Sequence, residues 1–224
     1  DNVAQNLAGG LFLASPTAVL TNVTVTANLS RGTGGAGNAG GILHVSGAAV
    51  LINCTVANNE ASDGFSNEIV ADHDAALGRV FFVRNTIVAR SPSLGAACQG
   101  FVFSDGGNVL NDGACFQDGP LASDQVDVEP LLGLLTDAGG PTMTRPLSPE
   151  SPAIDAGAPD RACPWRDQRG WLRVGPCDAG AFEYGAVAVS PASATLRDAL
   201  ADIASPRGDV GYAVARLMSA AGLL

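Results

Sequence analysis

Lysine is absent from all 224 residues, so the twelve cationic side chains are arginines. A Walker-type phosphate loop, a Schiff-base enzyme and a lysine nucleophile all need that amine, and each is excluded. Charge of either sign is scarce, at 15% of the chain against a typical ~25%. What charge there is leans acidic, with a formal net of -10. Such a surface repels phosphate backbones, which rules out nucleic-acid binding through a basic face. Aromatic residues are few, at 5%. Long apolar runs are missing as well: the richest stretch, Leu131-Leu132-Gly133-Leu134-Leu135, falls far short of the ~18 residues a membrane span needs. Nothing in the sequence requires a cofactor.

Glycine, by contrast, reaches 28 residues, and a hydrophobic content of 46% excludes wholesale disorder. All twelve Asn lie between Asn2 and Asn111, whereas eleven of the thirteen Pro lie from Pro120 onward. The split predicts two regions built on different local rules. Asp1 falls inside a repeat, so the chain is expected to be a piece or processed form of something longer.

The repeat is explicit. Gly9–Asn28 (GGLFLASPTAVLTNVTVTAN) laid over Gly40–Asn59 (GGILHVSGAAVLINCTVANN), at an offset of 31 without gaps, matches at ten of twenty positions. A weaker third copy, Phe82–Ala89, lies 32 residues after Val50–Ala57. Val3-Ala4-Gln5-Asn6 reads as a partial earlier copy, 22 residues before Val25–Asn28. Each copy holds short runs of Val, Ile, Leu and Thr punctuated by Gly, Ser or Asn, which is strand-and-turn chemistry, and none shows a helical stripe. The expected coil is three short strands, with an extra loop at Leu29–Gly37, stacked on its neighbour at ~4.8 Å. Asn22, Asn53 and Asn85 then stand above one another as a structural ladder of amides at a tight corner. Val23/Cys54 and Val25/Val56 become neighbouring inward rungs. The fold class is all-β: a right-handed parallel β-helix, or solenoid, with coils over 1–91, an irregular disulfide-pinned C-terminal cap over 92–185 and a short helical tail over 186–224.

Several motifs suggest chemistry. Gly32–Gly37 spells G-x-G-x-x-G but precedes a strand rather than opening a helix, so it reads as loop. Asn22-Val23-Thr24, Asn28-Leu29-Ser30 and Asn53-Cys54-Thr55 are glycosylation sequons by pattern, yet the ladder explains two of them better. Asp72-His73-Asp74 is the densest acid–base cluster and the candidate calcium or ligand site, with a solvated loop as the competing reading. His44 matches Leu13 of the preceding coil and reads as a strand side chain. Cys54 is an inward thiol. Cys98–Cys115 and Cys163–Cys177 are local pairs, each contributing about 3 kcal/mol if bonded. A zinc site lacks any C-x₂-C knuckle, so no metal is expected. Trp165 and Trp171 either form a sugar-stacking platform with Arg166, Arg169 and Arg173 or seal the open end of the solenoid. Thr195–Ala204 and Val210–Ala221 have helical spacing and are candidates to dock another chain or domain.

Four ordered motifs follow the repeats: Gly139-Gly140-Pro141-Thr142, Ser151–Gly157 (SPAIDAG), Asp167-Gln168-Arg169-Gly170 and Cys177–Tyr184 (CDAGAFEY). In SPAIDAG, Asp155 is expected to accept backbone N–H groups. Together these motifs resemble the choice-of-anchor Q domain proteins, bacterial surface or secreted right-handed parallel β-helices of the pectin-lyase-like class. The resemblance spans roughly residues 1–185. It departs at Arg145, where the family has Thr-x-Thr-His, and at Val128-Glu129-Pro130, where Val-Asp-Pro is usual. It implies an extracytoplasmic location, which five Cys also suggest. The expected function is a non-catalytic module for adhesion, spacing or binding of polysaccharide or cell-surface glycan. The alternative is a polysaccharide lyase or glycoside hydrolase, for which Asp72, Asp74 and Arg79 are the local candidates.

Overall fold

Alternation decides the strands. In Ala48–Ile52 and Val80–Arg84, every second side chain is buried, so one face of each strand looks inward. The computed structural model describes residues 2–32, 38–62, 66–90, 95–159 and 163–188. β1 (Val3–Ala4) belongs to an incomplete first turn. One coil holds β2 (Leu11–Leu13), β3 (Thr17–Thr21), β4 (Thr24–Thr26) and β5 (Leu29–Ser30). The next holds β6 (Ile42–His44), β7 (Ala48–Ile52), β8 (Thr55–Ala57) and β9 (Glu60–Ala61). A third holds β10 (Ile69–Ala71), β11 (Val80–Arg84) and β12 (Ile87–Ala89); a fourth holds β13 (Cys98–Gly100), β14 (Val102–Ser104) and β15 (Val109–Leu110).

Equivalent strands pair in parallel into four sheets, β2-β6-β10-β13, β3-β7-β11-β14, β4-β8-β12-β15 and β1-β5-β9. The register follows the repeat: Val25 pairs with Val56 and Val56 with Val88. Inward columns such as Ala18/Ala49/Phe81/Val102 and Val25/Val56/Val88/Leu110 form a continuous apolar core, with Cys54 in it. Stacked in-register parallel strands around such a core are consistent with a parallel β-helix. No α-helix occurs among the described residues, and the expected helices at Thr195–Ala204 and Val210–Ala221 lie outside them.

Three expectations change. The segment expected to begin a loop at Leu29 begins instead with a fourth strand, β5. That strand pairs with β1 through Val3↔Leu29, so Val3 does not stack on Val25. The shorter step falls between the third and fourth coils, where Val88 meets Leu110. Stacking also continues past residue 91: β13–β15 form a full rung, in which the connection made by residues 72–79 in the third coil shrinks to Phe101. Finally, only part of the cap expected over 92–185 closes the end. That role falls to residues 112–128, where Phe116 bridges to Val102 and Gln125 to Val109. Phe116 and Val126 add to the core there, and Cys98–Cys115 forms the expected disulfide. Residues 130–159 and 163–187 form a lobe along the flank of the β4-β8-β12-β15 sheet. Ala57, Ile87, Ala89 and Val109 face outward from that sheet and are buried under Leu147, Ala153, Ala179 and Phe182. Strands β8 and β12 are thus buried on both faces, and each large apolar side chain so covered contributes roughly 1.5–3 kcal/mol.

Candidate functional site

The corner between the second and third sheets is where coil and lobe meet. Asn22, Asn53 and Asn85 stand one above another there with positive φ of 55°, 47° and 47°, a left-handed conformation that Asn tolerates better than most residues. Their amides were expected to bond to one another. Only Asn85 Nδ2 does so, to Asn53 Oδ1 at 3.4 Å. The rest turn to the lobe. Asn22 Nδ2 donates to the Arg166 carbonyl (2.7 Å) and Asn53 Nδ2 to the Asp178 carbonyl (3.0 Å). Asn85 Oδ1 accepts from Ala158 N–H at 2.9 Å. Beside this column, Gln168 meets Thr24 and Ala181 N–H meets Thr55 Oγ1.

A second ladder, unremarked in the sequence although Asn28 and Asn59 are identical repeat positions, is the one that stacks amide on amide. Asn2 Nδ2 donates to Asn28 Oδ1 (3.0 Å), and Asn28 Nδ2 to Asn59 Oδ1 (2.8 Å). The column ends on Glu68, which is fully buried and accepts from Asn59 Nδ2 at 2.5 Å. Burial pushes the Glu68 carboxyl up to about 8, although Asn59 donors and the charge of Arg145 pull it down. Arg145, buried at Thr26 Oγ1 (2.9 Å) and the Gly133 carbonyl (3.1 Å), is lowered by the same desolvation. Sequons at Asn28 and Asn53 are buried, so structure accounts for both.

Inside the lobe the motif residues form one buried polar network. Asp167 accepts from the backbone of Arg169, Trp171 and Glu183, and pairs with the Arg169 guanidinium at 2.7 Å. Glu183 pairs with Arg173 at 2.7 Å and accepts from Val174 and Asp178 N–H. Asp178 accepts from Asp155 and Tyr184 N–H, and burial raises its carboxyl to about 6. Sequence reasoning placed an acceptor at Asp155. The structure reverses this: Asp155 N–H donates to Asp178, and the Asp155 carboxylate is exposed with no hydrogen-bond partner among the described residues. Gly139 and Gly140, with φ of 91° and 89°, let the chain press on Trp171 and Arg169, where an added Cβ would stand 2.6 Å from each.

The candidate calcium cluster is dispersed. Asp72 pairs with Arg79 at 2.7 Å, Asp74 caps the short 3₁₀ turn Ala75–Leu77, and the His73 ring lies against Phe101 and Phe103. No group of three or more His, Cys, Asp or Glu side chains able to hold a metal occurs among the described residues. His44 is inward and buried, edge-on to Phe81, with Nε2 2.9 Å from the Gly47 carbonyl. Buried Cys54 has its thiol raised to about 11 by desolvation.

The two tryptophans neither share a platform nor seal the end of the coil stack. Trp171 packs between Gly139 and the Arg169 guanidinium, which sits 4.3 Å from its ring. Trp165 is 37% exposed, carries Arg166 over its ring at 4.4 Å and borders a cavity of about 560 Å³. Asp155, Pro159, Pro164, Arg173 and the Cys163–Cys177 disulfide complete that cavity.

The class defined so far is an all-β protein of stacked parallel coils with a disulfide-closed flank lobe. Comparison with known proteins takes it no further: no family model, curated protein or solved structure matches the chain. Among the described residues no helix is long and apolar enough to cross a membrane.

Proposed function

We propose that the chain is a right-handed parallel β-helix of the pectin-lyase-like class. On this reading it is a choice-of-anchor Q type module of a secreted or cell-surface bacterial protein, with a non-catalytic role in adhesion, spacing or glycan binding. Handedness follows from the strong right-handed preference of parallel crossover connections. Two disulfides favour an oxidising compartment. One observation carries the functional reading: the acids of the Asp72–Asp74 cluster and, Asp155 apart, those of the lobe's motifs are engaged in architecture. Asp72 holds Arg79, Asp74 caps a turn, and Asp167, Asp178 and Glu183 knit the lobe.

The test is prolonged incubation with polygalacturonate and with neutral β-glucans, reading new reducing ends and unsaturated uronide absorbance. The expected result is no product from either. Turnover abolished by Asp74→Asn, which keeps the turn cap, would replace this reading with a lyase or hydrolase.

A further inference from the structure

The cavity beside Trp165 has features that no structural role accounts for. Its walls are apolar and stiff: the indole of Trp165, the rings of Pro159, Pro164 and Pro176, and the Cys163–Cys177 disulfide. Its volume, about 560 Å³, falls within the range of small-molecule sites. One polar group on its wall lacks a partner. The Asp155 carboxylate accepts no hydrogen bond among the described residues, although every other acid of the lobe's motifs does. Arg173, also in the wall, is held by Glu183, Asn22 and the Gly180 carbonyl.

We propose that this cavity binds a neutral pyranose of an oligosaccharide, stacked on Trp165 and hydrogen-bonded through its hydroxyls to Asp155. The inference rests on the reading of the chain as a glycan-binding module and names its site. Hydroxyls donate, which suits an unpartnered carboxylate. The apolar C–H face of the sugar suits an indole. A cationic ligand would meet the Arg173 guanidinium in the wall. An anionic sugar would meet the Asp155 carboxylate on a chain of net charge -10. Neutral ligands are what remains. The cavity is held open from behind: Arg173 is locked by its ion pair, and Asp155 is fixed through its own N–H on Asp178. Such preorganisation lowers the entropic cost of binding.

Calorimetric titration with maltotetraose, cellotetraose, mannotetraose and tetragalacturonate tests the site on the full chain. At least one neutral tetrasaccharide should bind, more tightly than the uronate. Trp165→Ala should weaken it about tenfold or more, and Trp171→Phe should leave it unchanged. Asp155→Asn is a second arm that keeps the left-handed backbone, since Asn tolerates the φ of 56°; it too should weaken binding severalfold. The proposal is overturned by no binding, by preference for the uronate, or by affinity that neither Trp165→Ala nor Asp155→Asn moves. Hydrolysis of a bound tetrasaccharide would refute the non-catalytic reading and leave the site standing. Neutral-sugar binding insensitive to both variants would do the reverse.

Discussion

Glu68 is the residue whose ionisation weighs most on the fold. In the folded chain burial holds its carboxyl at about 8, far above the ordinary 4.5. The folded chain therefore keeps a proton that the unfolded chain has released, and stability falls as pH rises across that interval. The Glu68 contribution is fully present below about pH 4.5 and is lost as pH climbs through about 8. Asp178 adds the same sign between 3.8 and about 6. Thermal melts should show Tm falling by about 5 °C or more from pH 5 to pH 8.5. Glu68→Gln still accepts from Asn59 but cannot ionise, so its Tm should change distinctly less over the same range. A slope unchanged by the substitution would remove Glu68 as its origin.

Among elements, the two-glycine turn at Gly139-Gly140 is tightly constrained. Both positions need positive φ, and at Gly140 a Cβ would strike the Cα and carbonyl of Arg169, which are backbone atoms with no rotamer to relieve them. Gly170 has a similar φ of 79° but nothing within 4 Å of its added Cβ. Gly170→Ala should cost about 1–2 kcal/mol, from backbone strain alone. Gly140→Ala should cost clearly more, measured as the difference in urea midpoints.

The coils were legible because Gly9–Asn28 and Gly40–Asn59 align without a gap, and a gapless repeat transmits its register directly to strand pairing. The fourth coil was not: Phe101 alone joins β13 to β14 where the third coil has residues 72–79, so Val102 and Val109 fall out of phase with the earlier copies. Lobe placement was also hidden, since it depends on contacts more than a hundred residues apart, such as Asn53 with Asp178. A signal was nonetheless present. The outward positions held by Thr24 and Thr55 become Ile87 and Val109 in later coils, and an outward apolar column must be covered. At the candidate site, Trp165 was identified from sequence, whereas Asp155 received the wrong partner because local turn chemistry was followed where a distant carboxylate prevailed.

At the scale of the whole molecule, stacked coils and lobe are joined through the Asn corner. Replacing Asn85 with Gly preserves its backbone freedom and removes the bond to Ala158. The cost should be about 1–3 kcal/mol. Hydrogen exchange should quicken at Ala158, Gly180 and Ala181 while Val56 and Val83 in the coil core keep their protection. Uniform loss of protection would mean that the lobe and the coils open together. The same corner governs how the molecule bears load. A pull along the stacking direction would, in a bare stack, peel one rung from the next, breaking a few hydrogen bonds at a time. Here Asn22, Asn53 and Asn85 from three successive rungs are tied to a single lobe, itself cross-linked between Cys163 and Cys177. Separating the rungs requires shearing the lobe from several of them at once, so the flank acts as a lateral brace and raises the force at which the stack yields.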